Sequence, residues 1–256
     1  MLNIINERIN QGYRTIPFPA GEIPRLPERY RGLPVIDASK CPDGCVECSK
    51  ACPTDAITIN GEMKIDLGRC LFCTDCMDAC PEGAIEYTQD FRLATRKRDH
   101  LVTDGKAFAL AAALDDKSRK IFGRSLQLRQ VSAGGCGACE ADINVLGTVV
   151  FDLSRFGIHI VASPRHADGL IVTGPVTQNM KLALEKVYAA TPSPKFVIAV
   201  GACAISGGPF ADHAEQNNGC DSLLPVDLYI PGCPPHPLTI LDGILRLLGR
   251  IESDNH

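Results

Sequence analysis

One cysteine-bearing unit is written twice in this chain. Cys45, Cys48, Cys52, Pro53, Ala56 and Ile57 recur, in the same CxxCxxxCPxxAI order, as Cys73, Cys76, Cys80, Pro81, Ala84 and Ile85, and a further cysteine, Cys41 or Cys70, stands ahead of each copy. Two copies of one metal-binding unit therefore lie side by side. The 13 cysteines of the 256 residues are odd in number and clustered, unlike the spread of a disulfide framework, so metal ligation is the better reading. CxxC pairs also bind zinc, but a tetrahedral zinc site gives no reason for eight cysteines in a duplicated CxxCxxxCP.

A cubane four-iron cluster needs four thiolates aimed at its corners. A CxxCxxC loop wraps three of them around it with little chain, and the fourth must come from elsewhere. The repeat resembles two-cluster ferredoxins, in which the last cysteine of each run crosses to the other cluster. That resemblance implies one ligand set of Cys41, Cys45, Cys48 and Cys80 and a second of Cys70, Cys73, Cys76 and Cys52. Cys41-Pro-Asp-Gly-Cys45 is CxxxC where Cys70-Leu-Phe-Cys73 keeps CxxC, and the Asp43-Gly44 turn dipeptide absorbs the extra residue.

A different constellation follows: Gly134-Gly135-Cys136-Gly137-Ala-Cys139-Glu140, then Gly201-Ala-Cys203 with Gly207-Gly208, then Pro231-Gly232-Cys233-Pro-Pro235. Four cysteines in glycine-rich loops match a third cluster, with Gly135, Gly137, Gly174, Gly201 and Gly232 letting backbone approach it and its N–H groups donate to sulfides. Cys220 lies outside these motifs and reads as an ordinary free thiol. Glu140 reads as a helix-start carboxylate in preference to a proton relay.

The expected fold class is α/β: a flavodoxin-like parallel-sheet C-terminal domain preceded by a small α+β two-cluster ferredoxin domain. Short apolar runs at 125–131, 159–162, 170–173, 196–200 and 228–230 alternate with helix-like stretches at 142–156, 180–190 and 238–248, the order of a parallel sheet with helices on its faces. Ligands in such sheets sit at the carboxyl ends of strands, where Cys136, Cys203 and Cys233 fall. In the repeat, strands are expected at 56–60, 63–66 and 84–88, with a hairpin turn at Asn60-Gly61. The domain reading is an extended arm over 1–35, the ferredoxin domain over 36–92, a linker and helix over 93–120, and the cluster-bearing sheet domain over 121–256. The alanine- and leucine-rich stretch 106–120 is expected to be helical, and the basic run 91–100 to be a solvated linker.

Cys136-Gly-Ala-Cys139, Thr173-Gly-Pro-Val-Thr177, Gly201-Ala-Cys203 and Pro231-Gly-Cys233-Pro-Pro235 together resemble the family shared by small subunits of group 4, formate-hydrogenlyase-like nickel–iron hydrogenases and the 20 kDa subunit of complex I. The CxxC at Cys136 favours the hydrogenase branch, because the complex I subunit has adjacent cysteines there. Near Leu238 the family often has an acidic residue, where this chain offers His236-Pro-Leu238.

The resemblance implies an electron-transfer subunit with three 4Fe-4S clusters and no catalytic residue of its own, wiring a separate hydrogenase-type large (catalytic) subunit. Membrane-arm subunits would be further partners, and a formate dehydrogenase, a carbon monoxide dehydrogenase or a ferredoxin would be the donor. Two alternatives are a complex I-like or nickel-free relative serving quinone or an ion pump, and a stand-alone ferredoxin-type carrier. A net charge of −4 argues against a nucleic-acid partner. Residues 1–30 carry charges and prolines where a signal peptide needs an apolar core, and the longest apolar runs fall short of the roughly 20 residues that span a bilayer. The expected location is cytoplasmic, peripheral on the membrane through partner subunits.

Overall fold

The computed structural model describes residues 2–12, 14–22, 25–105, 108–122 and 125–251. The chain opens with helix α1 (Leu2–Gln11) where an extended arm was expected; Ile4, Ile5 and Ile9 on it face solvent. The arm beyond it is tied down: Ile16 N–H donates to Val150 O, the Arg155 guanidinium donates to Phe18 O at 2.7 Å, and Phe18 stacks edge-on against Phe91.

The repeat then folds as β1 (Pro34–Ile36), α2 (Glu47–Ala51), β2 (Ile57–Asn60), β3 (Glu62–Asp66), α3 (Asp75–Asp78) and β4 (Ile85–Tyr87). β1 pairs antiparallel with β4, and β2 with β3 across the expected Asn60-Gly61 turn. A short β5 (Val102–Thr103) completes the second sheet by pairing with β3. The basic run 91–100 is therefore not a solvated linker. Phe91, Leu93, Ala94, Thr95 and Leu101 are buried, Thr95 bridges to Tyr229, and Arg98 clamps Asp66 through two bonds of 2.6 and 2.7 Å. Leu93, Ala94 and Thr95 are buried in succession, and Arg92, Arg96 and Arg98 are half-buried on Asp90, Ala113 O and Asp66, where charge counting reads the run as wholly exposed.

The helix expected over 106–120 is confined to α4 (Asp116–Phe122). Residues 108–115 run without helix, and 106–107 lie outside the described residues. Helix propensity differs by only a few tenths of a kcal/mol among these residues. Burial of Phe108, Ala111 and Leu114, with Ala111 N–H on Ala94 O and Leu114 N–H on Leu247 O, outweighs it.

The larger unit comprises β6 (Leu126–Ser132), α5 (Ala138–Val145), β7 (Ile158–Ile160), β8 (Gly169–Thr173), α6 (Gln178–Ala190), β9 (Phe196–Val200), α7 (Ala202–Ser206), β10 (Leu228–Ile230) and α8 (Pro237–Leu247). Its five strands are all parallel in the order β10-β9-β8-β6-β7, the flavodoxin-like arrangement expected from the sequence. The helix expected over 142–156 starts earlier and stops at Val145. Gly137, at φ +89°, turns the chain into the helix, and a 3-10 turn at Leu153–Phe156 replaces its end.

Side-chain alternation on β9 divides the core. Phe196, Ile198 and Val200 pack toward α5 and α8, while Val197 and Ala199 join a second core that runs on into Ile65, Leu67 and Leu101 of the repeat. The sheet thus has apolar cover on both faces, which is why β8 and β9 read as unbroken apolar runs. α8 is buried along its whole length, Asp242 and Arg246 included.

Candidate metal centres

Three loops after β6, β9 and β10 reach the same end of the sheet, since parallel strands point their carboxyl ends one way. They carry Cys136 and Cys139, Cys203, and Cys233. These thiols gather: burial raises the Cys139 thiol far above its usual value, with Cys203, Cys233 and Cys136 adding, and the Cys203 thiol is pushed up to about 11 by burial with Cys233 and Cys136 adding. The backbone is cut to admit them. A Cβ on Gly201 would lie 2.5 Å from Cys139 Sγ, and one on Gly208 would lie 2.9 Å from Cys203 Sγ. Gly135 and Gly174, from the loops after β6 and β8, pack backbone to backbone, Gly137 caps α5, and Gly232 precedes Cys233.

Gly201 has φ +89° and ψ 155°, a region nearly closed to other residues. Gly201→Ala is expected to cost about 1–3 kcal/mol in backbone strain and to displace the Cys139 thiol. A lowered thermal midpoint together with incomplete iron loading would register it; an unchanged midpoint would refute it.

In the repeat, Cys52, Cys70, Cys73 and Cys76 line one small cavity with Pro53, Ile65 and Tyr87. Burial lifts Cys70 to about 12, and it raises Cys73 and Cys76, to which the Cys52 thiol adds in each case. Cys41 is raised by burial and then by Cys45 and Cys80, and Cys48 is pushed up to about 11 by burial, with Cys80 and Cys41 contributing. Cys52 thus shares a cavity with the second-copy cysteines, while Cys48 feels the charges of Cys80, Cys41 and Cys76. Backbone N–H groups already point at sulfur: Ala56 to Cys52 at 3.2 Å, Ala84 to Cys80 at 3.3 Å and Phe72 to Cys70 at 3.3 Å. Tyr87, which sequence reasoning passed over, sets its hydroxyl 3.4 Å from Cys70 Sγ and 3.8 Å from Cys76 Sγ. Its signal was the alternation of β4, which puts Tyr87 on the same inward face as the buried Ile85.

The two units meet at these sites. Ser206 on α7 donates to Gly68 O at 2.9 Å, which seats the Cys70 loop on the helix that carries Cys203. Cys233 lines one pocket with Leu71 and Phe72 of the Cys70 loop, and its thiol is raised by burial, with the charges of Cys136 and Cys73 adding. Cys73, Cys136 and Cys233 are exposed. Among the described residues no three His, Cys, Asp or Glu side chains close on a point as ligands of one ion. A cubane asks for something else: each thiolate meets a different iron around a shared volume. The thiol sets, the relieved backbone and the N–H donors suit that group.

Glu140 lies in the first turn of α5. Burial would raise its pKa, but the hydroxyls of Ser132 and Thr173, at 2.5 and 2.6 Å, and its own N–H hold it below the usual carboxylate range. It is a carboxylate held in place at a helix start. His236 caps α8, its Nδ1 accepting from Leu238 N–H at 3.1 Å, and burial lowers its pKa. Cys220 is fully buried with its thiol pushed up to about 12, first by burial and then by Asp221, as befits an inert core thiol.

Residues 136–247 match the family model described as NADH ubiquinone oxidoreductase, 20 Kd subunit, and residues 40–84 match a 4Fe-4S dicluster domain. The probable membrane-bound hydrogenase subunit mbhJ of Pyrococcus furiosus is 43% identical over 134 residues, 52% of this chain and 80% of that one. The chain belongs to the 20 kDa-subunit family. Other relatives of this 20 kDa-type protein lie on both sides of the family. Formate hydrogenlyase subunit 7 of Escherichia coli is 44% identical over 133 residues, 52% of each chain. An NADH-quinone oxidoreductase subunit of Heliobacterium modesticaldum is 43% identical over 122 residues, 47% of this chain and 70% of that one. In this member the family domain is joined to a dicluster domain in a single polypeptide. Among the described residues no helix is long and apolar enough to cross a membrane.

Proposed function

We propose that the chain is the electron-wiring subunit of a multisubunit redox complex, binding three 4Fe-4S clusters and serving a separate nickel–iron hydrogenase-type catalytic subunit. Cys41, Cys45, Cys48 and Cys80 hold the first cluster, Cys52, Cys70, Cys73 and Cys76 the second, and Cys136, Cys139, Cys203 and Cys233 the third. Bound there, the clusters supply one-electron transfer. The residues around them do the rest: Gly201 and Gly208 make room for sulfur, the N–H groups of Ala56, Phe72 and Ala84 donate to it, and the Ser206–Gly68 bond holds one unit against the other.

The observation that carries the reading is the seating of the duplicated unit on the sheet-end site: Ser206, on the helix of Cys203, bonds Gly68 O at 2.9 Å, and Leu71 and Phe72 of the Cys70 loop line one pocket with Cys233. Exposure of Cys136 and Cys233 leaves the third site open to a large partner at the surface. The Cys136-Gly-Ala-Cys139 spacing favours the hydrogenase branch, and the similarity to formate hydrogenlyase subunit 7 supports it. A comparable identity to the Heliobacterium modesticaldum NADH-quinone oxidoreductase protein supports the second reading, a nickel-free complex serving quinone or an ion pump. The formate dehydrogenase, carbon monoxide dehydrogenase or ferredoxin donor, membrane-arm partners and a cytoplasmic, membrane-peripheral site belong to the same proposal.

Anaerobic capture of the chain from its native cells, with metal analysis and hydrogen-dependent dye reduction, tests it. About 12 irons per chain, as three cubanes require, with co-purifying nickel and hydrogen activity are the expected results. The same iron with a large partner but neither nickel nor hydrogen activity would transfer the assignment to the nickel-free reading.

A further inference from the structure

The two copies of the repeat differ at a position whose side chain reaches two cysteine sulfurs. The offset that carries Cys52 onto Cys80 carries Ile59 onto Tyr87, so a hydroxyl stands in one copy where a hydrocarbon stands in the other. Tyr87 ends β4 opposite Pro34 of β1, and its ring leans on Phe72 with centroids 5.8 Å apart. The hydroxyl lies in the cavity of Cys52, Cys70, Cys73 and Cys76, 3.4 Å from one sulfur and 3.8 Å from another. In the free thiol form either partner can donate. Once Cys70 and Cys76 have lost their protons to iron, only the tyrosine can.

We propose that Tyr87 is a positioning and tuning residue that donates an O–H···S hydrogen bond to the Cys70 and Cys76 sulfurs of the second cluster and raises its reduction potential above that of the first. The inference rests on the cluster assignment given above. Hydrogen bonds to cluster sulfur stabilise the form carrying the added electron, and a cluster lacking the bond is harder to reduce. In the first copy, Ile59 offers no donor. Apolar Ile57 and Ile65 line the same cavity, and its other hydroxyl, that of Thr54, is committed to Arg69 O at 2.8 Å.

The test is a redox-poised EPR titration of the reconstituted full-length chain, wild type against Tyr87→Phe, with Cys52→Ala identifying which signal is the second cluster. Phenylalanine keeps the ring on Phe72 and removes only the hydroxyl. The expected result is a lower potential for that signal alone, by about a tenfold change in its reduced-to-oxidised ratio at fixed potential, or about 59 mV for a one-electron couple. In D2O, an exchangeable deuteron coupled to that cluster in the wild type should vanish in the variant. Unchanged potentials and an unchanged deuteron signal, at full iron content, would overturn the role of Tyr87 and leave the cluster assignment standing. A wild-type chain with no signal that Cys52→Ala removes would overturn both.

Discussion

Cys52→Ala will abolish the cluster of the second copy although Cys52 sits in the first. Cys52 lines the cavity that also holds Cys70, Cys73 and Cys76, and Cys80 neighbours Cys41 and Cys48 instead. Loss of one thiolate corner should cost about four irons per chain, one cubane's worth. Double variants separate crossed from uncrossed ligation. Cys52→Ala with Cys73→Ala strikes a single site and should lose about four irons, whereas Cys52→Ala with Cys45→Ala strikes two and should lose about eight. Iron analysis and EPR of anaerobically reconstituted protein read the difference, and the reverse pattern would sink the crossed assignment. Crossing has a mechanical consequence as well: each bound group ties the two copies together, so losing either should loosen both.

Asp242→Ala carries the largest expected stability loss that does not depend on iron. Asp242 and Arg246 are one helical turn apart on α8, 2.8 Å between Oδ2 and Nε, with side chains only 2–3% exposed. Burial raises the Asp242 pKa while Arg246, and more weakly Arg92, oppose it, so the carboxylate depends on its cationic neighbours. Removing the carboxylate takes a counter-charge 2.8 Å away from a buried guanidinium, at a cost of about 3–5 kcal/mol. For a chain of this size that lowers the thermal midpoint by roughly 6–20 °C. Asp242→Leu combined with Arg246→Met should recover most of the loss, because a buried pair replaced by apolar side chains of similar volume is often neutral. Calorimetry on the two variants checks both statements. If the single variant melts with the wild type, the pair has no structural role.

Much of the larger unit was legible because its signals are local. β8 and β9 are buried on both faces, so they appear as unbroken apolar runs, and their expected positions match the observed strands to within a residue. Asn60-Gly61 marks its hairpin because the turn itself demands those residues. The failures fall where distant contacts outweigh local preference. The 108–115 stretch has helical composition, yet Ala94 and Leu247 supply its hydrogen-bond partners and the sheet domain buries its apolar side chains. Arg98 reads as one charge in a basic run, but Asp66 fixes it against the repeat. α1 was missed because its ten residues sit among prolines, glycines and charges that suggested an arm.

By itself, the sequence determined the cysteine pattern of this protein, its grouping in short loops, and the strand–helix alternation that brings three of those loops to one sheet end. Each is a property of neighbouring residues, encoded by spacing, turn chemistry and periodicity. Only the tertiary structure decided that the Tyr87 hydroxyl reaches Cys70 and Cys76 and that the Cys70 loop meets the loop of Cys233. It also placed Cys52 among the thiols of the other copy, which the sequence had implied only through a resemblance. These meetings join residues far apart in the chain, and they are set by how the apolar faces of the two units pack, which no local pattern records.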